Sequence, residues 1–304
     1  MSYDLYFCVP ESREPLQPAD LQRYFADRPR YQLNSLQAWY QNDSTGVYFS
    51  FEYDDSVDRP PGGDGLRYAG IRFNLNYLLP YPFALEAAPE VDAFVQEFEL
   101  KVDDPQTGGM GRGQYSRQGF LDGWQAGNRF ALTSVSDQER SLLLRKAAFG
   151  DDIERAWRWN FYRADLDGEL SHLDVFVPHV GFVRAGGQLA SGVVWGDGCA
   201  IAIPQVSYLV LGRRDLSPTR TGGIRGLFGR QQRQTEWCIV PLDQARSVLT
   251  MAVEVQAEPA YYLLDYDKPP EEIRSFFGEQ TPVGSTPDFV QFDEVCDLEM
   301  LTGL

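Results

Sequence analysis

A chain of 304 residues with 27 basic and 44 acidic side chains carries a formal net charge of -17 at pH 7, and 43% of it is hydrophobic. That length exceeds one typical domain and the apolar fraction is ample for packed cores, so two globular parts, or one large one, are expected. The acid surplus disfavours nucleic acid and anionic lipid as partners, because both call for Lys and Arg, and it suits encounter with a basic protein.

The chain opens on a β-rich run, YDLYFCV (3–9), followed by PADLQRYFADR (18–28), where Leu21, Tyr24 and Phe25 recur at helical spacing behind Pro18. Three strand-like runs come next: 31–40, 46–53 and 66–77. In the second of these Val47, Phe49 and Phe51 alternate with Tyr48, Ser50 and Glu52, after a turn at 42–46. PEVDAFVQ (89–96) reads as a short helix and FELKV (98–102) as a further strand. This βαβββαβ order predicts a small sheet with helices on one face. The glycine-rich QTGGMGRGQ (106–114) is the expected boundary, giving an N-terminal α+β domain over 1–105 and a C-terminal α+β domain over 114–304 that opens with helices.

Beyond it, 116–132 predicts a helix with Phe120, Trp124 and Phe130 near one face. Ser136 to Glu139 fits a capping box for a helix carrying Leu142 and Leu143, and 151–166 predicts another with two acids in its first turn. Strands resume at 172–186, 189–198, 199–203 and 206–212. Then come a strand at 236–241, a helix at 243–252, a strand at 260–266 and a helix at 269–277 behind Pro269 and Pro270. The fold class expected is α+β, in two parts, each a mostly antiparallel sheet with packed helices.

The most apolar stretch, 192–212, is interrupted by Asp197 and Pro204 and reads as strands, not a membrane span. MSYDLYFCVP lacks the basic lead and long apolar run of a signal peptide. Cys8, Cys199, Cys238 and Cys296 lie far apart among apolar neighbours, which predicts buried free thiols in a reducing compartment and a cytoplasmic protein.

One segment contradicts the overall charge. Residues 213–234 hold six arginines and one acid, so the remainder has 21 basic against 43 acidic side chains. Arginine suits bidentate binding of phosphate or carboxylate. Yet Gly222, Gly223, Gly226 and Gly229 loosen the backbone where catalysis needs fixed geometry, so a mobile loop is expected. GGMGRG (108–113) lacks the Lys-Ser/Thr ending of a phosphate-binding loop and reads as a linker. His172 and His179 have opposite parity on a strand-like run, with no converging ligands, and no nucleophile motif accompanies them. No cofactor and no metal are expected. An enzymatic alternative is a metal-dependent hydrolase or nuclease using Glu99 and Lys101 on one strand with Asp92 upstream, where Mg²⁺ would be held by the two carboxylates. A scaffold subunit of a larger assembly is a third reading.

The loop after the aromatic strand, EYDDSVDRPPGGDG, gathers four aspartates and is a natural contact surface for a basic partner. The expected contact residues are Trp39, Tyr40, Asp54, Asp55, Asp58 and Asp64 as an acidic-aromatic patch, with Arg220, Arg225 and Arg230 as a second contact. SYDLYFCVP (2–10), AWYQNDSTGVYFSFEYDD (38–55) and the strand pattern of 174–214 together resemble bacterial immunity proteins, which neutralise toxins delivered by contact-dependent or type VI secretion. The resemblance implies a cytoplasmic, non-catalytic protein that binds a cognate toxin effector stoichiometrically and blocks it. It transfers no contact residue.

Overall fold

Alternation along the first strand sets one half of the architecture. In the computed structural model, which describes residues 1–54, 63–106, 108–216 and 235–303, strand β1 (Ser2–Pro10) buries Tyr3, Leu5 and Phe7 and turns Ser2, Asp4 and Tyr6 the other way. Helix α1 (Pro18–Phe25) follows and buries Leu21 and Phe25. Strands β2 (Tyr31–Leu33), β3 (Gln37–Asn42), β4 (Val47–Tyr53) and β5 (Leu66–Asn76) form a meander. Helix α2 (Pro82–Glu97) leads to β6 (Lys101–Asp104) and β7 (Gly111–Gly113). These strands make one antiparallel seven-stranded sheet in the order β2-β3-β4-β5-β1-β6-β7. Its apolar face carries the core: Phe7 and Phe51 each lie 4.9 Å from Phe94 of α2, and Phe25 of α1 lies 4.9 Å from Phe51.

Helices α3 (Arg117–Thr133) and α4 (Asp137–Leu144) come next, then β8 (Ala147–Ala148). The Ser136–Glu139 capping box opens α4 as expected. Phe120 and Trp124 of α3 are fully buried, and Phe120 packs on Phe73 of the sheet at 5.5 Å. Phe130 is 66% exposed, because six residues beyond Trp124 the helix has turned past that face. Gly119, Gly123 and Gly127 form a stripe against which Met110, Asp104 and Tyr77 pack so closely that a Cβ would overlap or crowd them.

The second half opens with the long helix α5 (Gly150–Glu169). Strands β9 (Val180–Ala185), β10 (Gln188–Gly196), β11 (Ile201–Pro204), β12 (Tyr208–Arg213) and β13 (Glu236–Pro241) follow, then a short α6 (Arg246–Leu249). Strands β14 (Val253–Val255) and β15 (Tyr261–Leu264), helix α7 (Glu271–Glu279) and β16 (Phe289–Val290) complete it. A five-stranded sheet, β13-β12-β10-β9-β16, is antiparallel except for the β10–β12 pair, and β11-β15-β14 is a separate antiparallel sheet. The chain then returns: β17 (Cys296–Asp297) pairs with β8 and α8 (Leu298–Thr302) closes a small cluster of Leu132, Ala147, Cys296 and Leu301.

The fold is α+β with largely antiparallel sheets. Its two compact units are Met1–Gly150 with Phe292–Leu304, and Asp151–Gln291. The division falls at Gly150 rather than at the expected 106–114, since that glycine-rich stretch contributes β7 to the sheet and wraps Asp104, which accepts the Met110 N–H at 3.0 Å. Several element boundaries also differ from the sequence expectation: the run 31–40 is two paired strands, β6 covers Lys101–Asp104 rather than 98–102, and the helix expected over 243–252 is reduced to α6. Helix α2 starts at Pro82 rather than at 89, and Pro89 lies inside it. The run 172–186 is a strand only from Val180.

Candidate functional site

The helices of the first unit pack their apolar contacts on one face of the seven-stranded sheet and leave the other to polar and aromatic side chains. The register places these in rows across the strands. Trp39 lies opposite Ser50, Ser50 opposite Asn74, and Asn74 opposite Asp4. A parallel row runs Gln37, Glu52, Arg72, Tyr6, Asp103, Arg112. Alternation makes such rows possible, because only every second residue of each strand faces this side.

Glu52 and Arg72 anchor the centre. Arg72 donates from Nε at 3.1 Å and from Nη2 at 2.8 Å to one Glu52 oxygen, while Ser50 Oγ and Gln37 Nε2 donate to the other at 2.9 and 3.1 Å. Partial burial alone would raise the Glu52 carboxyl, but these hydrogen bonds and the Arg72 charge outweigh it and hold the group below its ordinary value. Arg72 is lowered by partial burial and raised by Glu52, Asp4 and Asp54, and the carboxylates prevail. Asp54 lies 3.8 Å from Arg72. Asp4 accepts from Asn74 Nδ2 and Ser2 Oγ, both at 2.8 Å.

Aromatic pairs flank this centre. The Trp39 and Tyr48 rings stack at 5.3 Å and 17°, and Tyr6 meets Tyr68 edge-on at 5.8 Å. Tyr48 also touches the edge of Phe83 at 5.4 Å, and burial and then Asp293 raise its hydroxyl pKa. At the far edge Arg112 pairs with Asp64 at 2.9 Å and lies 3.9 Å from Asp103. Arg72, Glu52 and Asp54 keep 30%, 23% and 25% of their side-chain surface in solvent. The described charges facing this side are Asp4, Glu52, Asp54, Asp64 and Asp103 against Arg72, Lys101 and Arg112, leaving two negative charges in surplus.

Of the expected contact residues, Trp39, Asp54 and Asp64 belong to this face. Tyr40 does not: it is 3% exposed on the helix side and donates to Glu86 of α2 at 2.7 Å, and burial first, then Glu86, raise its hydroxyl pKa. Strict alternation forbids adjacent Trp39 and Tyr40 from sharing a face. Asp55, Asp58, Arg220, Arg225 and Arg230, and with them the arginine-rich loop, lie outside the described residues. Asp4, Glu52, Arg72 and Asn74 were not singled out from the sequence, although the polar phase of three alternating strands carries them.

The alternative enzymatic reading places Glu99 and Lys101 on one strand with Asp92 upstream, and that pair is not on one strand. Glu99 sits in the turn after α2 with φ +48°, exposed, and β6 begins only at Lys101, so the two side chains do not share a strand face. Among the described residues, no group of three or more His, Cys, Asp or Glu is placed to hold a metal ion. His172 and His179 are both exposed. Cys8, Cys238 and Cys296 are buried free thiols, but Cys199 is exposed, contrary to the expectation for all four.

The second unit holds one buried carboxylate with several donors. Asp152 of α5, 5% exposed, accepts the Ser191 N–H at 3.0 Å and hydroxyl at 2.9 Å, the Ser207 hydroxyl at 3.0 Å, and Arg155 at 2.9 Å. These bonds fasten the start of the helix to β10 and to the turn before β12, a structural use of a buried charge. Beside it a cleft of about 230 Å³ is lined by Arg155, Arg158, Trp159, Pro204 and Glu258. Its arginines are already matched by Asp152, Glu154 and Glu258, so it presents no surplus charge to a ligand. The open sheet face is therefore the stronger candidate. No family model matches the chain, nor does any curated protein or solved structure. Among the described residues, no helix is long and apolar enough to cross a membrane.

Proposed function

We propose that this chain is a non-catalytic cytoplasmic binding protein that blocks a bacterial toxin effector, as an immunity protein does. One observation carries the reading: the face of the seven-stranded sheet turned away from the helical core combines partly buried aromatics with, among the described residues, two negative charges in surplus. Such a surface suits a basic protein partner, with aromatic side chains as anchors and charge complementarity steering encounter. The segments that resemble immunity proteins, 2–10 and 38–55, supply β1, β3 and β4, and so three of the strands of this face. Enzyme inhibition by occlusion needs no chemistry from the inhibitor, only a rigid complementary surface, and a sheet fastened by the Glu52–Arg72 pair meets that need.

The test is co-expression with the product of the adjacent reading frame. A stoichiometric complex on gel filtration, together with relief of that product's toxicity, is the expected result. No complex, or turnover by this chain alone that Glu99→Gln abolishes, would refute the reading.

A further inference from the structure

We infer that the cleft of the second unit binds a free α-amino acid with an apolar side chain, its carboxylate at Arg155 and Arg158 and its ammonium at Glu258. The site lies within that unit alone and does not depend on the binding role proposed above.

Burial divides the cleft into an inner wall and a rim. Ala156 and Trp159 of α5, Val180 at the start of β9 and Pro204 at the end of β11 are buried and form the wall. Its polar groups are already used: Trp159 Nε1 donates to the Pro178 carbonyl at 2.7 Å, and Asn160 closes both backbone groups of Val180. What the wall offers a ligand is apolar contact, so it takes a hydrocarbon side chain.

The rim carries both signs of charge. Arg155 and Arg158 stand three residues apart on α5, which makes them neighbours on one helix face. Arg158 also lies 3.4 Å from Glu258, whose side chain is 84% exposed. Asp152 and Glu154 offset the two guanidinium charges from the helix side. A bare anion here meets Glu258 and a bare cation meets two guanidinium groups, whereas a zwitterion satisfies both signs at once. The Arg158–Glu258 pair is weak because it is exposed, so a ligand carrying both charges exchanges with it readily. Arg155 donates from Nη2 to Asp152, and with five N–H donors in its fork it still reaches a carboxylate.

At about 230 Å³ the cleft is smaller than the roughly 300–1,000 Å³ of drug-sized sites, which restricts its ligand to amino-acid size. An α-amino acid holds its two charges on one carbon, as the rim requires. A peptide carries them at opposite ends.

The experiment titrates the full ¹⁵N-labelled chain with L-leucine, L-leucinamide and N-acetyl-L-leucine. All three share one side chain, but the second lacks the carboxylate and the third lacks the ammonium. With leucine, the backbone amides of Gln205, Ala257, Glu258 and Ala260 shift saturably, and each analogue binds at least about fivefold more weakly. Glu258→Gln weakens leucine about three- to tenfold and does not weaken N-acetyl-leucine. No saturable shift of those amides at tens of millimolar leucine, either analogue binding as well as leucine, or shifts confined to 1–150 overturns the inference. The ligand series uses the unaltered chain, so it decides the matter even if the variant fails to fold.

Discussion

The side-chain amide of Asn160 pairs with the backbone of Val180 as a strand would: its Nδ2 donates to the Val180 carbonyl and its Oδ1 accepts the Val180 N–H, both at 2.9 Å. Asn160 is 1% exposed on α5, and Val180 begins β9. One side chain thereby satisfies both polar groups of a buried residue at the start of β9, beyond the pairs that β16 makes, where water has no access. Asn160→Leu keeps the volume but leaves that N–H and carbonyl unpaired. It is expected to lower unfolding free energy by about 2–5 kcal/mol, as a shift in urea midpoint without a change in slope. Asn160→Asp restores only the acceptor, so it recovers part of the loss at most.

The glycine stripe of α3 gives a second, opposite-signed pair of expectations. A Cβ on Gly127 would lie 2.1 Å from the Tyr77 ring, whose residue is 5% exposed and has little room to yield. Gly127→Ala should therefore destabilise by about 1–3 kcal/mol despite the better helix propensity of alanine. Gly168 on α5 has nothing within 4 Å of an added Cβ. Gly168→Ala should stabilise by about 0.5–1 kcal/mol through the lower entropy of the unfolded chain. Chemical unfolding of both variants beside the parent checks the contrast, and a Gly127→Ala protein as stable as the parent would show that Tyr77 moves freely.

That stripe is legible in the sequence itself. Gly119, Gly123 and Gly127 recur every four residues, the period of one helix face, and so mark a close approach before any coordinates exist. The alternation of β4 and the Ser136–Glu139 capping box were legible because their causes are local. The boundary was misplaced because glycines at 108–113 fit a linker as well as they fit a tight wrap around a buried carboxylate, and only the Asp104 contacts distinguish the two. In the candidate site, Trp39 and Asp54 were legible from composition. The Asp4–Asn74 bond spans 70 residues and follows from strand register, which periodicity does not set. For Tyr40 the alternation with Trp39 is itself the signal: of two adjacent strand residues one faces the core, and Tyr40 is the buried one.

Acid stability should depend on Glu52. Its folded-state carboxyl is held below the ordinary value against the opposing effect of burial, by bonds from Arg72, Ser50 and Gln37. A depressed folded pKa contributes stability that is fully present above the unfolded value, around pH 4.3 for a model glutamate, and is lost as pH falls through the folded value. Glu52→Gln removes this term. The variant should be less stable than the parent at pH 7, and the difference should shrink toward pH 3, measured as urea midpoints across that range. A difference independent of pH would mean that Glu52 acts through packing alone.

Thiol reactivity should single out one cysteine. Cys8, Cys238 and Cys296 are 2%, 0% and 2% exposed, whereas Cys199 opens to solvent. Burial first, and Asp297 second, push the Cys296 thiol up to about 11, so it carries almost no thiolate near neutrality as well as little access. The Cys199 sulfur is also raised, chiefly by desolvation among its neighbours and further by Asp197 and Asp174, so access rather than acidity distinguishes it. A maleimide at pH 8 should therefore modify Cys199 alone in the folded chain. The rate should climb with pH above 8, since the thiolate is the nucleophile. Peptide mass mapping before and after urea reads the result: one labelled position folded, four unfolded. Labelling of Cys8 or Cys238 at the Cys199 rate would show that the sheets of either unit open on the timescale of the reaction, because neither sulfur is otherwise reachable.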